Sequence, residues 1–110
     1  MKDQKIKVIY MQPGKKPERI EILNTLEAMQ KAVQGYIEAV TVCEDMAIIC
    51  NEEGRLLGME PLGRKICGVS FVGPVLIVGV CGDEFCSLPE AAMEMMSDPR
   101  WVRADEEVQE

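Results

Sequence analysis

Histidine is absent from this chain of 110 residues, and aromatic residues make up only 5% of it. Without histidine the most common general acid–base residue is missing, which excludes the usual histidine-dependent catalytic arrangements. A zinc site would have to consist of cysteines alone, and their spacings match no zinc ribbon or finger. No Gly-rich phosphate loop with its Lys–Ser/Thr pair occurs either. The sequence therefore predicts a protein that is not an enzyme and binds neither a metal nor a cofactor.

Long hydrophobic runs are also missing. The longest apolar stretch, residues 69–81, is interrupted at Gly73 and Pro74 and falls short of the roughly 18 residues that a membrane-spanning helix needs. The apolar run Val8–Met11 ends at Pro13, too early for the core of a signal peptide. We therefore expect a soluble, cytoplasmic protein with no membrane partner.

The cysteines are five in number, which is odd for a set of structural disulfides. Without an export signal this count indicates a reducing compartment, and most of these side chains are expected to be buried free thiols. Acidic Asp83 and Glu84 separate the closest pair, while Cys67 follows two basic residues but has no base to activate it. The five positions are Cys43, Cys50, Cys67, Cys81 and Cys86.

Charge is segregated along the chain, whose formal net charge is −7. Eight acidic residues against two basic ones lie between positions 21 and 60, and four more acids fall in the last six residues. We expect an acidic, partner-binding face, and direct nucleic-acid binding is not favoured because no basic stripe interleaves with aromatics. The candidate face consists of Glu38, Glu44, Asp45, Glu52 and Glu53.

Alternating polar and apolar residues predict strands, and two segments of helical periodicity predict helices. The order β-β-α-β-β-β-β-α gives an α+β fold with an antiparallel sheet of about five to six strands and two helices. One domain is expected over residues 1–104, followed by an acidic disordered tail at 105–110. The predicted strands are Ile6–Tyr10, Glu18–Ile22, Tyr36–Cys43, Met46–Cys50, a short Arg55–Leu57, Val69–Phe71 and Val75–Val80, with a loop over Gly58–Lys65.

Capping patterns mark both helices. Asn24 followed three residues later by Glu27 predicts the start of the first helix, and Gly35 predicts its end. Ser87 is predicted to cap the second helix, which Asp98-Pro99 is expected to stop.

Several short blocks together resemble the domain of unknown function family 3846, over roughly residues 5–90. These are small proteins of phages and conjugative elements of Gram-positive bacteria, often encoded near anti-restriction genes. The resemblance implies an accessory protein of a mobile element and lends no activity. Where the family commonly has Asn-Arg, this chain keeps only Arg64. The blocks are Pro13-Gly14-Lys15, residues 24–30, residues 35–38, the Asn-Glu-Glu-Gly-x-Leu-x-Gly block at 51–58, and residues 85–88.

Five residues are candidates for binding a small ligand. Arg64 and Lys65 suit a phosphate or carboxylate, Asn51 suits a polar ligand edge, and Tyr36 and Phe71 suit stacking on a base. The alternatives are a surface salt bridge for the arginine, turn formation for the asparagine and core packing for the aromatics.

Two hypotheses about function follow. In the first, the protein binds and blocks a host defence or regulatory protein through its acidic face. In the second, it sequesters a nucleotide-like signal in a pocket of a homo-oligomer.

Overall fold

The computed structural model describes residues 4–96 and 102–104. The predicted helix stop at Asp98-Pro99 and the predicted tail at 105–110 lie outside them. Neither helix in the described part is long and apolar enough to cross a membrane. The strands are β1 (Lys5–Met11), β2 (Glu18–Leu23), β3 (Ile37–Cys43), β4 (Met46–Asn51), β5 (Pro61–Ile66), β6 (Val69–Val72), β7 (Val75–Cys81), β8 (Glu84–Cys86) and β9 (Val102–Ala104), and the helices are α1 (Leu26–Val33) and α2 (Glu90–Met96).

Two antiparallel sheets form the described structure. The larger sheet has the strand order β2-β1-β7-β4-β3, with β8 pairing the end of β7, and the smaller one has the order β6-β5-β9. The two central strands β4 and β7 are the most deeply buried, as expected for continuously apolar segments covered on both faces. The predicted α+β class, with two helices and an antiparallel sheet of about six strands, is confirmed.

Side-chain alternation in the central strands supplies two separate cores. Ala47 and Ile49 of β4 point toward α1, whereas Ile48 and Cys50 point toward β5, β6 and α2. The hydroxyl of Tyr10 donates to the carbonyl oxygen of Ala32 at 2.6 Å and fastens β1 to α1. The larger sheet is therefore the middle layer, between α1 on one face and the smaller sheet with α2 on the other.

The segment between β4 and β6 differs from prediction. Arg55–Leu57 is not a strand but part of a turn, in which the Leu57 amide donates to the Glu53 carbonyl at 2.9 Å. Residues 58–65 are not all loop, because β5 occupies Pro61–Ile66. Its ladder with β6 has an irregularity between Pro61 and Lys65, which breaks the regular alternation that sequence reasoning relies on.

The first helix begins one residue later than predicted. Thr25, not Asn24, is the N-cap, and its hydroxyl accepts a hydrogen bond from the Ala28 amide at 3.1 Å. Asn24 is 5% exposed, and its side-chain amide donates to the Phe85 carbonyl at 3.0 Å. A buried tertiary contact thus replaces the local capping role.

The other two predicted caps also have different roles. The C-cap of α1 is Gln34, with φ at 65°, and the following Gly35 amide donates to the Gln30 carbonyl at 3.0 Å. The Ser87 hydroxyl accepts a hydrogen bond from the Lys7 amide at 2.9 Å. The chain entering α2 is therefore fixed to β1.

A disulfide joins Cys81 to Cys86, the two cysteines that are closest in sequence. In the β7–β8 hairpin, Gly79 lies opposite Cys86 and Glu84 lies opposite Cys81. The two cysteines are consequently diagonal neighbours on one face, with Cα atoms 5.9 Å apart, a separation that a disulfide spans. The remaining cysteines are free; Cys50 is buried, but Cys43 and Cys67 are exposed, contrary to expectation.

Candidate functional site

The outer edge of β3 is open, since among the described residues this strand pairs only with β4. The Glu52 amide donates to the Tyr36 carbonyl at 2.8 Å, which marks these two opposite residues as a hydrogen-bonded pair. Such pairs alternate along an antiparallel ladder. The backbone N–H and C=O groups of Ile37, Ala39 and Thr41 therefore point away from β4 and toward solvent.

This edge is not protected in the usual ways. The stretch from Ala39 to Cys43 is uncharged and rich in β-branched residues, and it contains no Lys or Pro of the kind that blunts an edge strand. The bulge between Thr41 and Cys43 comes only at its far end. The β3 edge is thus a template on which another extended chain can pair.

The predicted acidic residues all lie around β3, and all five are exposed. Glu38 is on β3 itself, with Glu52 and Glu53 directly after β4 at the same end, while Glu44 and Asp45 form the β3–β4 turn at the opposite end. None of them is in an ion pair with a described residue. The expected acidic face therefore consists of two clusters of carboxylates, one at each end of the open β3 edge.

A cavity of about 240 Å³ opens beside β3, on the sheet face opposite α1. We call it the β3 cavity. Val40 and Cys50 of the larger sheet form one wall, and Phe71 of β6, only 7% exposed, forms the other. Its polar and apolar rim includes Glu38, Glu52, Arg55, Leu56 and Val69.

Several large apolar side chains on the segments next to β3 and the β3 cavity are exposed, as are Leu23 and Leu26 elsewhere. Leu56 is 88% exposed, Leu57 is 60% exposed, Tyr36 is 66% exposed and Val69 is 40% exposed. Two of them, Leu56 and Val69, lie on the rim of the β3 cavity. Exposed apolar groups clustered beside polar ones are typical of interaction surfaces.

The free thiol in the cavity wall is held in its neutral form. Burial raises the pKa of Cys50, the nearby carboxylate of Glu38 raises it further, and the guanidinium of Arg55 partly offsets both effects. Since only the thiolate is a good nucleophile, Cys50 acts here as an apolar wall residue. Among the described residues no cluster of three or more potential metal ligands occurs.

Asn51 holds the site together from within. It is 6% exposed, and its amide nitrogen donates to the Val33 carbonyl at 3.0 Å and to the Gln34 carbonyl at 3.2 Å. Its side-chain oxygen accepts from the Glu53 amide at 2.7 Å. The turn chemistry of Asn-Glu-Glu-Gly predicted the last contact, but nothing in the sequence signalled the two bonds to the end of α1.

The candidate ligand-binding residues are divided by the structure. Asn51 and Phe71 line the β3 cavity, whereas Arg64, Lys65 and Tyr36 do not. Arg64 and Lys65 lie half-buried in β5, where they are paired in register with β9. A second, more open cavity of about 310 Å³ contains none of the five; its lining is Gln12, Pro13, Gln34, Met59, Glu60, Gly73 and Pro74.

Comparison with known proteins identifies a family. A family model described as domain of unknown function (DUF3846) matches residues 6–99. No curated protein and no solved structure matches this chain.

Proposed function

Because this chain belongs to the domain of unknown function family DUF3846, which lends no activity, we propose a function from its own surface: a non-enzymatic protein that binds another protein through the β3 edge. The observation that carries the proposal is the coincidence of three features at one place. In the part of the chain that the structure describes, an open strand edge, carboxylates without an ion-pair partner and exposed apolar side chains all surround β3. Protein-binding surfaces combine such groups.

The biological setting belongs to the same proposal. We take the protein to be an accessory protein of a phage or other mobile element, acting in the bacterial cytoplasm, where it binds and blocks a host defence or regulatory protein. The segregated charge supports this choice, since an acidic surface steers a basic partner and selects against acidic ones.

The β3 cavity supports a protein partner over a small ligand. Small-molecule sites usually enclose about 300–1,000 Å³, and this cavity of about 240 Å³ has room for one large side chain. The second cavity, of about 310 Å³, falls within that range, but its described lining contains Glu60 and no cation. Arg64 and Lys65, the candidates for binding a phosphate, line neither cavity. Sequestration of a nucleotide therefore stays the second prediction, with Arg64→Ala as its own test.

The proposal is tested by comparing captures from a bacterial host lysate. Glu38 and Glu52 are replaced together by lysine beside the cavity. In the matched control, Glu18 and Glu21 on the opposite edge strand β2 are replaced by lysine, which changes the net charge equally. All four residues are exposed, so both variants should fold.

Quantitative mass spectrometry then compares the proteins retained by each bait. We expect at least one protein to be retained by the wild type and the β2 variant but lost from the β3 variant. Equal loss from both variants would show that only net charge matters. If both variants retained the same proteins as the wild type, the acidic surface would be rejected as the binding site.

A further inference from the structure

The β3 edge and the β3 cavity lie on the same strand, and together they define what kind of segment fits. We propose that the partner adds an extended strand to the outer edge of β3, places one apolar side chain in the β3 cavity and sets a Lys or Arg beside Glu38. This inference rests on the proposed function and specifies its ligand as an extended basic–apolar peptide segment.

Main-chain pairing is the first part of the argument. The outward N–H and C=O groups of Ile37, Ala39 and Thr41 recur at every second residue, which is the spacing an added strand requires. Strand addition draws its affinity from these main-chain bonds and its specificity from pockets for alternate side chains.

Side-chain placement is the second part. Glu38 and Val40 are two residues apart on β3, so they lie on the same face, and both border the β3 cavity. Alternate side chains of an added strand lie beside them. One of these side chains reaches the apolar walls of Val40 and Phe71, and the neighbour two positions away lies beside the Glu38 carboxylate.

Charge favours this occupant over a second copy of the chain. Both ends of the β3 edge are acidic, with Glu38 near one end and Glu44 and Asp45 at the other. Antiparallel pairing of two β3 edges would bring the acidic end of one copy toward the acidic end of the other, and the repulsion between these carboxylates disfavours that pairing. A basic segment instead meets carboxylates at both ends of the edge. Among the described residues, Arg55 is the only cation on the cavity rim, against Glu38 and Glu52.

The test starts from a display library of random linear peptides selected on the intact protein. We expect the enriched peptides to share an apolar residue and a Lys or Arg two positions apart, in either order. One such peptide, labelled with a fluorophore, then serves as the probe for affinity by fluorescence polarisation.

The protein variants are Ala39→Pro and its matched control Glu21→Pro. Proline at Ala39 removes one outward N–H without touching the ladder to β4, and edge strands tolerate proline at such positions. Directly after β2 the Asn24 amide donates to the Gln4 carbonyl, so the same alternation makes the backbone N–H of Glu21 point away from β1. We expect Ala39→Pro to weaken binding by about tenfold or more, and Glu21→Pro to leave it unchanged.

Methylation of single peptide nitrogens is a second test that leaves the protein intact. It should weaken binding at alternate positions only, with a period of two, because only every second amide of an added strand faces β3. Glu38→Lys should also weaken the binding of the basic peptides.

Three outcomes overturn the inference. In the first, peptide affinity is unchanged by Ala39→Pro and by every N-methylation but is lost on charge reversal at Glu38 and Glu52. The peptides would then bind the acidic surface without strand addition, and the proposed function would stand. Failure to enrich any peptide would reject the extended ligand, and the lysate comparison would decide the proposed function separately. A homodimer abolished by Ala39→Pro would assign the edge to a second copy.

Discussion

Replacing Asn51 by alanine should destabilise the fold more than any other single deletion of a polar side chain among the described residues. Three hydrogen bonds are lost at a position only 6% exposed. At about 1 kcal/mol for each bond, the free energy of unfolding should fall by about 2–3 kcal/mol.

The assay is equilibrium unfolding in urea, followed by circular dichroism. With an m value of about 1–3 kcal/mol/M for a domain of this size, the midpoint should move down by roughly 0.7–3 M. The matched control is Asn24→Ala, because Asn24 is about equally buried but donates only one side-chain hydrogen bond to a described residue. That variant should lose about 1 kcal/mol.

The comparison also decides between two roles for Asn51. If it served chiefly to contact a ligand, its removal would leave stability nearly unchanged. A loss equal to or smaller than that of Asn24→Ala would refute the reasoning that Asn51 fastens the turn after β4 to the end of α1.

Three further predictions concern the hairpin and the cavity. The double variant Cys81→Ser and Cys86→Ser should lose about 2 kcal/mol in urea unfolding, because the crosslink restricts the unfolded chain. Gly79→Ala should cost about 1–3 kcal/mol, since a Cβ at this position would collide with the carbonyl oxygen of Ser87. Burial raises the pKa of Cys50, so its thiol ionises at a lower pH in the unfolded chain than in the folded protein. The free energy of unfolding is therefore unaffected at neutral pH and falls as the pH rises from the unfolded-state pKa through the folded-state pKa. Iodoacetamide should accordingly modify Cys50 more slowly in native than in unfolded protein.

Each of these has a control and a contradicting result. Thiol titration of the unfolded, unreduced protein should count three free thiols, and five would exclude the disulfide. Gly82→Ala meets no neighbouring atom, so it should report only the cost of its positive φ, and an equal loss at both glycines would contradict the close contact. The thiol rates are measured with Cys43→Ser and Cys67→Ser in the background, and equal native and unfolded rates at Cys50 would contradict its burial.

Local pattern predicted much of the secondary structure. The alternation in β2 and the continuous apolar run of β7 predicted the correct strands. A strand buried on one face alternates polar and apolar residues, and a strand buried on both faces is continuously apolar. β5 was missed because Pro61 and Gly63 are typical of loops and its ladder is irregular. The caps at Asn24 and Ser87 were wrong because distant partners, not local ones, bind these side chains.

The site was less accessible from sequence. The acidic residues were identified, but their arrangement around one open edge depends on strand order, which long-range pairing decides. The β3 cavity forms only where β6 of the smaller sheet approaches β3 and β4, so no local pattern marks it. The pairing of Cys81 with Cys86 depends on β8 turning back along β7, and the short spacing between these cysteines was the one available signal.

The central claim, that the partner binds at the β3 edge, is tested most directly by amide hydrogen exchange, read by NMR on the free protein and on its complex with a selected peptide. In the free protein the amides of Ile37, Ala39 and Thr41 should exchange rapidly, while those of Glu38 and Val40 should be protected by β4. Binding should protect the first three and leave the β2 edge unchanged. Protection of those three amides already in the free protein, or none on binding, would contradict the account.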